Sequence, residues 1–271
     1  MEWRSFELKL LIDRDRFSAL LRFLSTASRV NSSELGTVFI RVRNGRVCFR
    51  STDHFLYLEA SFASKTRENI DVLTVIDPMA SFVDGCSSDK IILDLTDKTI
   101  GLKSARRSAS LKLLDPSRFS SWPRIKDVKQ KLSCGKPILD AIKAVRFCAS
   151  ADLASPELYN IHLIGSEDRV YAEAADGHRL ARVCLNCAAE GLDVMIPLKA
   201  ALKLPTLEGK VLSFKFGNFF AFITEESGVQ KTVSCRTANG SYPDLVGILP
   251  KAFKTKAVVS KNEFVRLLQS S

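Results

Sequence analysis

The stretch AADGHRLARV, residues 174–183, sets Asp176, Gly177, His178 and Arg179 side by side. An acid and an imidazole can orient one another as base and helper, and a guanidinium can hold an anion. A hydrolytic site also needs a nucleophile on a sharp turn, and the chain contains no G-x-S-x-G, no H-E-x-x-H and no G-x-x-x-x-G-K-[ST]. Lys136 follows Gly135 but precedes Pro137, so that pair opens no phosphate loop. His54, His162 and His178 are too scattered in sequence to suggest a metal cluster. A lone D-x-H on an apolar run is read as structural or binding, and no catalytic residue, metal or cofactor is expected.

The elements that must position these residues are bounded by composition. A chain of 271 residues with 46% hydrophobic content suggests about two folded domains. Its apolar runs are short, far below the roughly 18 residues that span a bilayer, and MEWRSFELK lacks a signal-peptide profile. A soluble cytoplasmic protein is expected. The seven cysteines, an odd number spread through apolar segments, predict reduced core thiols rather than a disulfide framework. Cys184 and Cys187 form one C-x-x-C, but on an expected strand their side chains would face opposite ways, which argues against zinc or redox chemistry. Lysine plus arginine exceed the acids by 40 to 30, a net charge of +10 that suits a polyanion partner or a basic solvated surface.

Self-comparison is more informative. RFSALLRFLSTAS (16–28) resembles PILDAIKAVRFCAS (137–150), and NGRVCFRSTDHFLYLEA (44–60) resembles EDRVYAEAADGHRLARV (167–183), which places Asp53 under Asp176. VIDPMASFVDG (75–85) parallels MIPLKAALKLP (195–205), and SRFSSWPRI (117–125) parallels GSYPDLVGI (240–248). The four segments keep their order at an offset near 123 residues. VVSKNEFVRLLQSS (258–271) then resembles LLIDRDRFSALLRF (10–23) at close to twice that offset. The expected organisation is one domain over 1–127, a second over 128–255, and in 256–271 the start of a third copy or a C-terminal tail.

Each copy opens with an amphipathic helix, carried by Phe17, Leu20, Leu21 and Leu24 and by Ile138, Leu139, Ile142 and Val145. Alternating or apolar runs such as TVFIRV, RVCFRS, IHLIG and RVYAEA predict strands, and Asp77-Pro78 and Ile196-Pro197 start a second, shorter helix. The pattern is α+β, two helices per copy packed on antiparallel sheet. Arg14, Arg22 and Arg29, then Lys136, Lys143 and Arg146, and Lys199 and Lys203, recur where helices face away from their sheet, as a phosphate-facing surface would require.

These residues resemble the sliding clamps of DNA replication, the bacterial beta clamp (DNA polymerase III beta subunit) in particular. AADGHRL at 174–180 is close to the family's A-T-D-G-H-R-L, ELYNIHL at 157–163 resembles its L-N-G-[VM]-L strand, MIPLKAAL its V-P-x-K stretch, and GSYPDLVGILP at 240–250 its G-x-[FY]-P-D-Y-x-x-[VL]-[IL]-P. The resemblance implies the DNA-clamp fold, with six domains joined end to end in a ring, helices inside around duplex DNA and sheets outside. A dimer of three-domain chains or a trimer of two-domain chains would supply six. It implies no enzymatic activity, a homo-oligomer in the cytoplasm at the nucleoid, and double-stranded DNA, a replicative polymerase and a clamp loader as partners, with no membrane.

The D-G-H-R-L segment of that family lines a pocket for short partner peptides, which here would comprise Tyr159, Ala175, Gly177, His178, Arg179, Leu180, Pro243 and Ile248. Three departures stand out. Ala175 replaces the usual threonine, Val246-Gly247 stands where a basic residue is common, and the chain is basic where bacterial clamps are usually acidic. The family's pocket is completed by the C-terminus of a third domain. A second reading is a monomeric clamp-derived adaptor that binds peptides without encircling DNA.

Overall fold

The computed structural model describes residues 7–28, 36–66, 68–125, 128, 130–152, 154–250, 252 and 254–270. Arg29 lies outside the described residues. The chain forms two compact units, Met1–Gly240 and Ser241–Ser271.

Copy one runs β1 (Glu7–Asp13), α1 (Arg14–Ser28), β2 (Thr37–Arg43), β3 (Arg46–Thr52), β4 (Leu56–Ala63), β5 (Ile70–Val75), α2 (Ile76–Asp84), β6 (Lys90–Thr96), β7 (Thr99–Ser104) and β8 (Arg107–Lys112). Copy two repeats it as β9 (Gln130–Leu132), α3 (Gly135–Val145), β10 (Asn160–Gly165), β11 (Arg169–Ala175), β12 (Leu180–Asn186), β13 (Asp193–Pro197), α4 (Leu198–Leu202), β14 (Leu212–Phe216), β15 (Phe219–Glu226) and β16 (Val229–Arg236). The architecture is the expected α+β, with every named strand pair antiparallel.

The helices form where the stripes predict. Phe17, Leu20, Leu21 and Leu24 of α1, and Ile138, Leu139, Ile142 and Val145 of α3, are buried in one continuous core. Asp13 Oδ1 accepts from the Arg16 amide at 3.0 Å, capping the first turn of α1. Asn44 and Gly45, both at positive φ, make the two-residue turn between β2 and β3, the turn chemistry whose twist matches a hairpin.

Sheet order shows the repeat as geometry. Copy one builds β5-β2-β3-β4 and β1-β6-β7-β8, and copy two builds β13-β10-β11-β12 and β9-β14-β15-β16. β4 pairs with β16, from Ser61 opposite Gln230 to Leu56 opposite Cys235, so one eight-stranded sheet crosses from copy to copy. The continuity of that sheet is why no gap between compact units falls near residue 127.

Among its described residues the unit Ser241–Ser271 holds one helix, α5 (Lys261–Ser270), on the segment that repeats the start of copy one. Phe264, Val265, Leu267 and Leu268 are exposed along it.

The cysteines differ from the expectation. Cys134, just before α3, and Cys187, just past the end of β12, form a disulfide, while Cys48, Cys86, Cys148, Cys184 and Cys235 are free. The C-x-x-C splits because Cys184 sits on the strand and is exposed, whereas Cys187 lies beyond the strand's last residue and turns toward α3. The bridge closes a loop with a sequence separation of 53. Loop-closure entropy for a span of that size is worth up to about 4 kcal/mol. Cys187→Ser, or reduction of the wild type, should lower the urea midpoint substantially and Cys184→Ser should not; equal midpoints with and without reductant would remove the bridge from the stability of the fold.

Candidate functional site

The 174–183 segment is the hairpin between β11 and β12, with Ala175 opposite Leu180. Asp176 Oδ1 accepts from the backbone amides of His178 (2.9 Å) and Arg179 (2.7 Å), and the Asp176 amide donates to the Arg179 carbonyl at 3.2 Å. Oδ2 takes the Arg179 guanidinium through Nε (3.0 Å) and Nη2 (2.7 Å). These bonds, the guanidinium first, hold the Asp176 carboxyl down at about 2. A carboxylate that weakly basic, engaged with the main chain of His178 and not its ring, closes a turn and does not orient an imidazole as a base. Gly177 adopts φ +86°, a left-handed conformation that a side chain resists, and nothing lies within 4 Å of where a Cβ would stand.

Copy one makes the same turn. Asp53 Oδ1 accepts from the amides of Phe55 (3.1 Å) and Leu56 (2.8 Å), the Asp53 amide donates to the Leu56 carbonyl, and His54 takes the positive φ. The remaining oxygen is used differently: Asp53 Oδ2 binds Lys203 at 2.7 Å, reaching from just past α4 in copy two.

Ala175, Gly177, His178, Arg179 and Leu180 therefore share one hairpin end, with Gly177, His178 and Arg179 exposed and Ala175 buried. Tyr159 precedes β10, accepts the Leu198 amide on its carbonyl at 3.0 Å, and has its phenol pushed up by burial. Pro243 and Ile248 belong to the unit Ser241–Ser271, where both are exposed.

The basic residues divide into two groups. Arg22 and Lys199 are exposed, although Arg22 also donates to Ser18 Oγ and Lys199 lies 5.5 Å over the Phe55 ring. Arg14 pairs with Asp15 at 2.6 Å, and Lys136 lies 3.9 Å from Asp140 and 3.7 Å from Glu208. Lys143 donates to the Pro205 carbonyl (3.0 Å), Arg146 to those of Ala201 (2.9 Å) and Leu202 (3.3 Å), and Lys203 to Asp53. Lys143 and Arg146 thus satisfy carbonyls at and beyond the C-terminal end of α4, where cations are favoured. Partial burial, the largest influence, lowers the pKa of Lys143.

A charged cluster on copy two escaped the sequence reading. His162 is buried on β10 with Nδ1 2.9 Å from Glu173 and Nε2 3.0 Å from Asp193, and Arg182 lies 3.0 Å from Glu173. Two carboxylates on one ring are satisfied together only by the imidazolium. Burial, the largest influence, opposes that charge, but the two hydrogen bonds and the carboxylate charges raise the pKa above its ordinary value. The signal was present in the self-comparison: Arg50 opposite Glu59 in copy one becomes Glu173 opposite Arg182 in copy two, the same cross-strand pair with its charges exchanged.

No family model matches the chain. It is 22% identical over 268 residues to the beta sliding clamp of Helicobacter pylori, covering 95% of this chain and 71% of that one. Among solved structures, the Bacillus subtilis DNA polymerase sliding clamp superposes with a TM-score of 0.84 at 18% identity over 98% of this chain and 73% of its own. The H. pylori beta clamp bound to a DNA ligase peptide superposes with a TM-score of 0.81 at 18% identity over 97% and 75%. The chain has the sliding-clamp fold.

Two outcomes test this site. Because the folded pKa of His162 is raised, its contribution to stability is complete below the unfolded value near 6.5 and is lost as pH rises through the folded value. Urea midpoints should fall from pH 6 to pH 9 in the wild type and less so in His162→Gln; parallel curves would refute the linkage. Gly177→Ala should cost about 1 kcal/mol in unfolding free energy through its left-handed φ, and an unchanged midpoint would refute it.

Proposed function

We propose that this chain is a processivity clamp: it encloses duplex DNA as part of a ring and tethers a partner through the pocket around 174–180, with no chemistry of its own. The observation that carries this reading is the pairing of the sheet edges. β4 of copy one joins β16 of copy two. By the repeat, β12 is the counterpart of β4 and β8 the counterpart of β16, and neither has a strand beyond it among the described residues. A further unit can dock on each by the junction already present inside the chain. Such head-to-tail contacts close into a ring when the rotation per unit divides a full turn, and otherwise run on as a filament.

The exposed Arg22 and Lys199, with Arg14 on α1 and Lys136 on α3, supply phosphate contacts of the kind that hold DNA without reading its sequence. Lys143, Arg146 and Lys203 contribute field to that face while anchoring α4 and the copy junction. For the pocket, Tyr159, Ala175 and Leu180 supply the apolar part, and His178 with Arg179 the polar rim. A relative that binds a DNA ligase peptide supports peptide recognition by this chain, with a replicative polymerase and a clamp loader as the partner classes and the nucleoid as the place of work. Clamp domains over 1–127 and 128–255, with 256–271 as the start of a third or a C-terminal tail, are the ring's building units in this reading.

Light scattering of the intact protein over a concentration series should give one closed oligomer of constant mass. Unbounded growth or a single-chain mass at micromolar concentration would overturn the ring, and a single-chain mass with peptide binding retained would favour the adaptor reading. Arg22→Glu combined with Lys199→Glu should lower the slope of log affinity for duplex DNA against log salt by about 2; an unchanged slope would place the DNA elsewhere.

A further inference from the structure

A groove of about 730 Å³ opens on copy one between the sheet face carrying Phe39, Arg41, Arg50, Glu59 and Asp71 and the connector 116–125. It lies on the face turned away from α1, because Phe49, which packs on Phe17 of that helix, alternates with Arg50 along β3. Its volume is within the roughly 300–1,000 Å³ of small-ligand sites.

Three features of the groove point to one kind of occupant. The connector is held by side chains: Phe119 stacks on Phe39 at 4.9 Å, Trp122 meets Tyr57 edge-on at 5.4 Å, and Ser120 Oγ lies 3.2 Å from His54 Nδ1. Its main chain from 120 to 125 makes no backbone–backbone hydrogen bond among the described residues, which leaves its carbonyls, and its N–H groups other than at Pro123, to pair with a partner strand. The charge leaves a net positive rim. Arg41 and Arg43 pair with Asp71 and Arg50 with Glu59 in the groove wall, while Arg118 and Arg124 are exposed on the connector with no ion pair among the described residues. Apolar walls are supplied by Phe119, Trp122 and Ile125.

We propose that this groove docks a short extended segment of a partner protein in which acidic and apolar side chains alternate. The segment pairs with the connector as an added strand, its carboxylates meet Arg118 and Arg124, and its other side chains enter between connector and sheet. A single-stranded nucleic acid fits less well, because it would need open ring faces to stack on. Here the rings cover one another: Phe119 lies between Phe39 and Trp122, and the Arg50 guanidinium sits 4.9 Å over Trp122. The site is separate from the pocket around 174–180 and does not depend on ring closure.

The test uses the full chain and a fluorescein-labelled octapeptide of alternating aspartate and leucine, followed by anisotropy. The wild type should bind saturably, and a lysine-leucine octapeptide at least tenfold more weakly. Arg118→Glu with Arg124→Glu, both exposed and neither needed for the core, should weaken binding at least tenfold, and Trp122→Leu should weaken it independently. Leu180→Lys, in the other pocket, should leave it unchanged. No binding at millimolar peptide overturns the proposal, as does displacement of the peptide by oligothymidine at equal concentration. So does loss of binding in Leu180→Lys, or an equal loss in the charge-matched Lys90→Glu with Lys98→Glu, which would reduce the effect to net charge.

Discussion

The antiparallel ladder between β4 and β16 is the constraint on which the rest of this structure depends. Its register, Leu58 opposite Val233 and Leu56 opposite Cys235, buries all four of those side chains completely. A slip of one residue would carry the set to the opposite face, so the core itself fixes how the copies join. Among the described residues, side-chain contacts that tie copy to copy lie along this seam. Lys203 reaches Asp53, Lys199 covers Phe55, and Arg16 on α1 donates to the Gly228 carbonyl of the β15–β16 hairpin at 3.1 Å. On the other face, rings run without a break from Phe119 through Trp122, Tyr57, Phe219 and Phe216 to Phe214. The same ladder leaves β8 and β12 as its unused halves, and that is why the internal junction bears on assembly at all.

The two copies keep backbone geometry and change its chemistry. Both hairpin turns rest on an aspartate that accepts two amides, but the second oxygen binds a distant lysine in copy one and the adjacent arginine in copy two. The first choice locks the copies together; the second leaves His178 and the upper edge of the turn exposed. The cross-strand pair Arg50 and Glu59 recurs as Glu173 and Arg182 with exchanged charge, and the position beside it carries Phe39 in one copy and His162 in the other. Copy one thereby gains an aromatic wall under its connector, and copy two an imidazole held between two carboxylates.

The basic residues show a similar division of labour. Lysine and arginine on α3 look in sequence like a row aimed at phosphate. In space Lys143 and Arg146 spend donors on the carbonyls around the end of α4, which spans only Leu198–Leu202 and leaves those groups without helical partners. A cation that caps a helix still contributes its charge to the surface, but replacing it disturbs the fold as well as any DNA contact.

Much of this was legible in the chain alone. The repeat, the apolar stripes of α1 and α3 and the alternating strands are local patterns. Hydrophobic periodicity and turn chemistry act over a few residues and repeat from copy to copy. What only the tertiary structure decided are the partnerships: Cys134 with Cys187, Lys203 with Asp53, His162 between Glu173 and Asp193, and Trp122 over Tyr57. Each depends on which strand lies beside which and in what register. Register is set by the burial of many side chains together, so no single residue or spacing along the chain carries it.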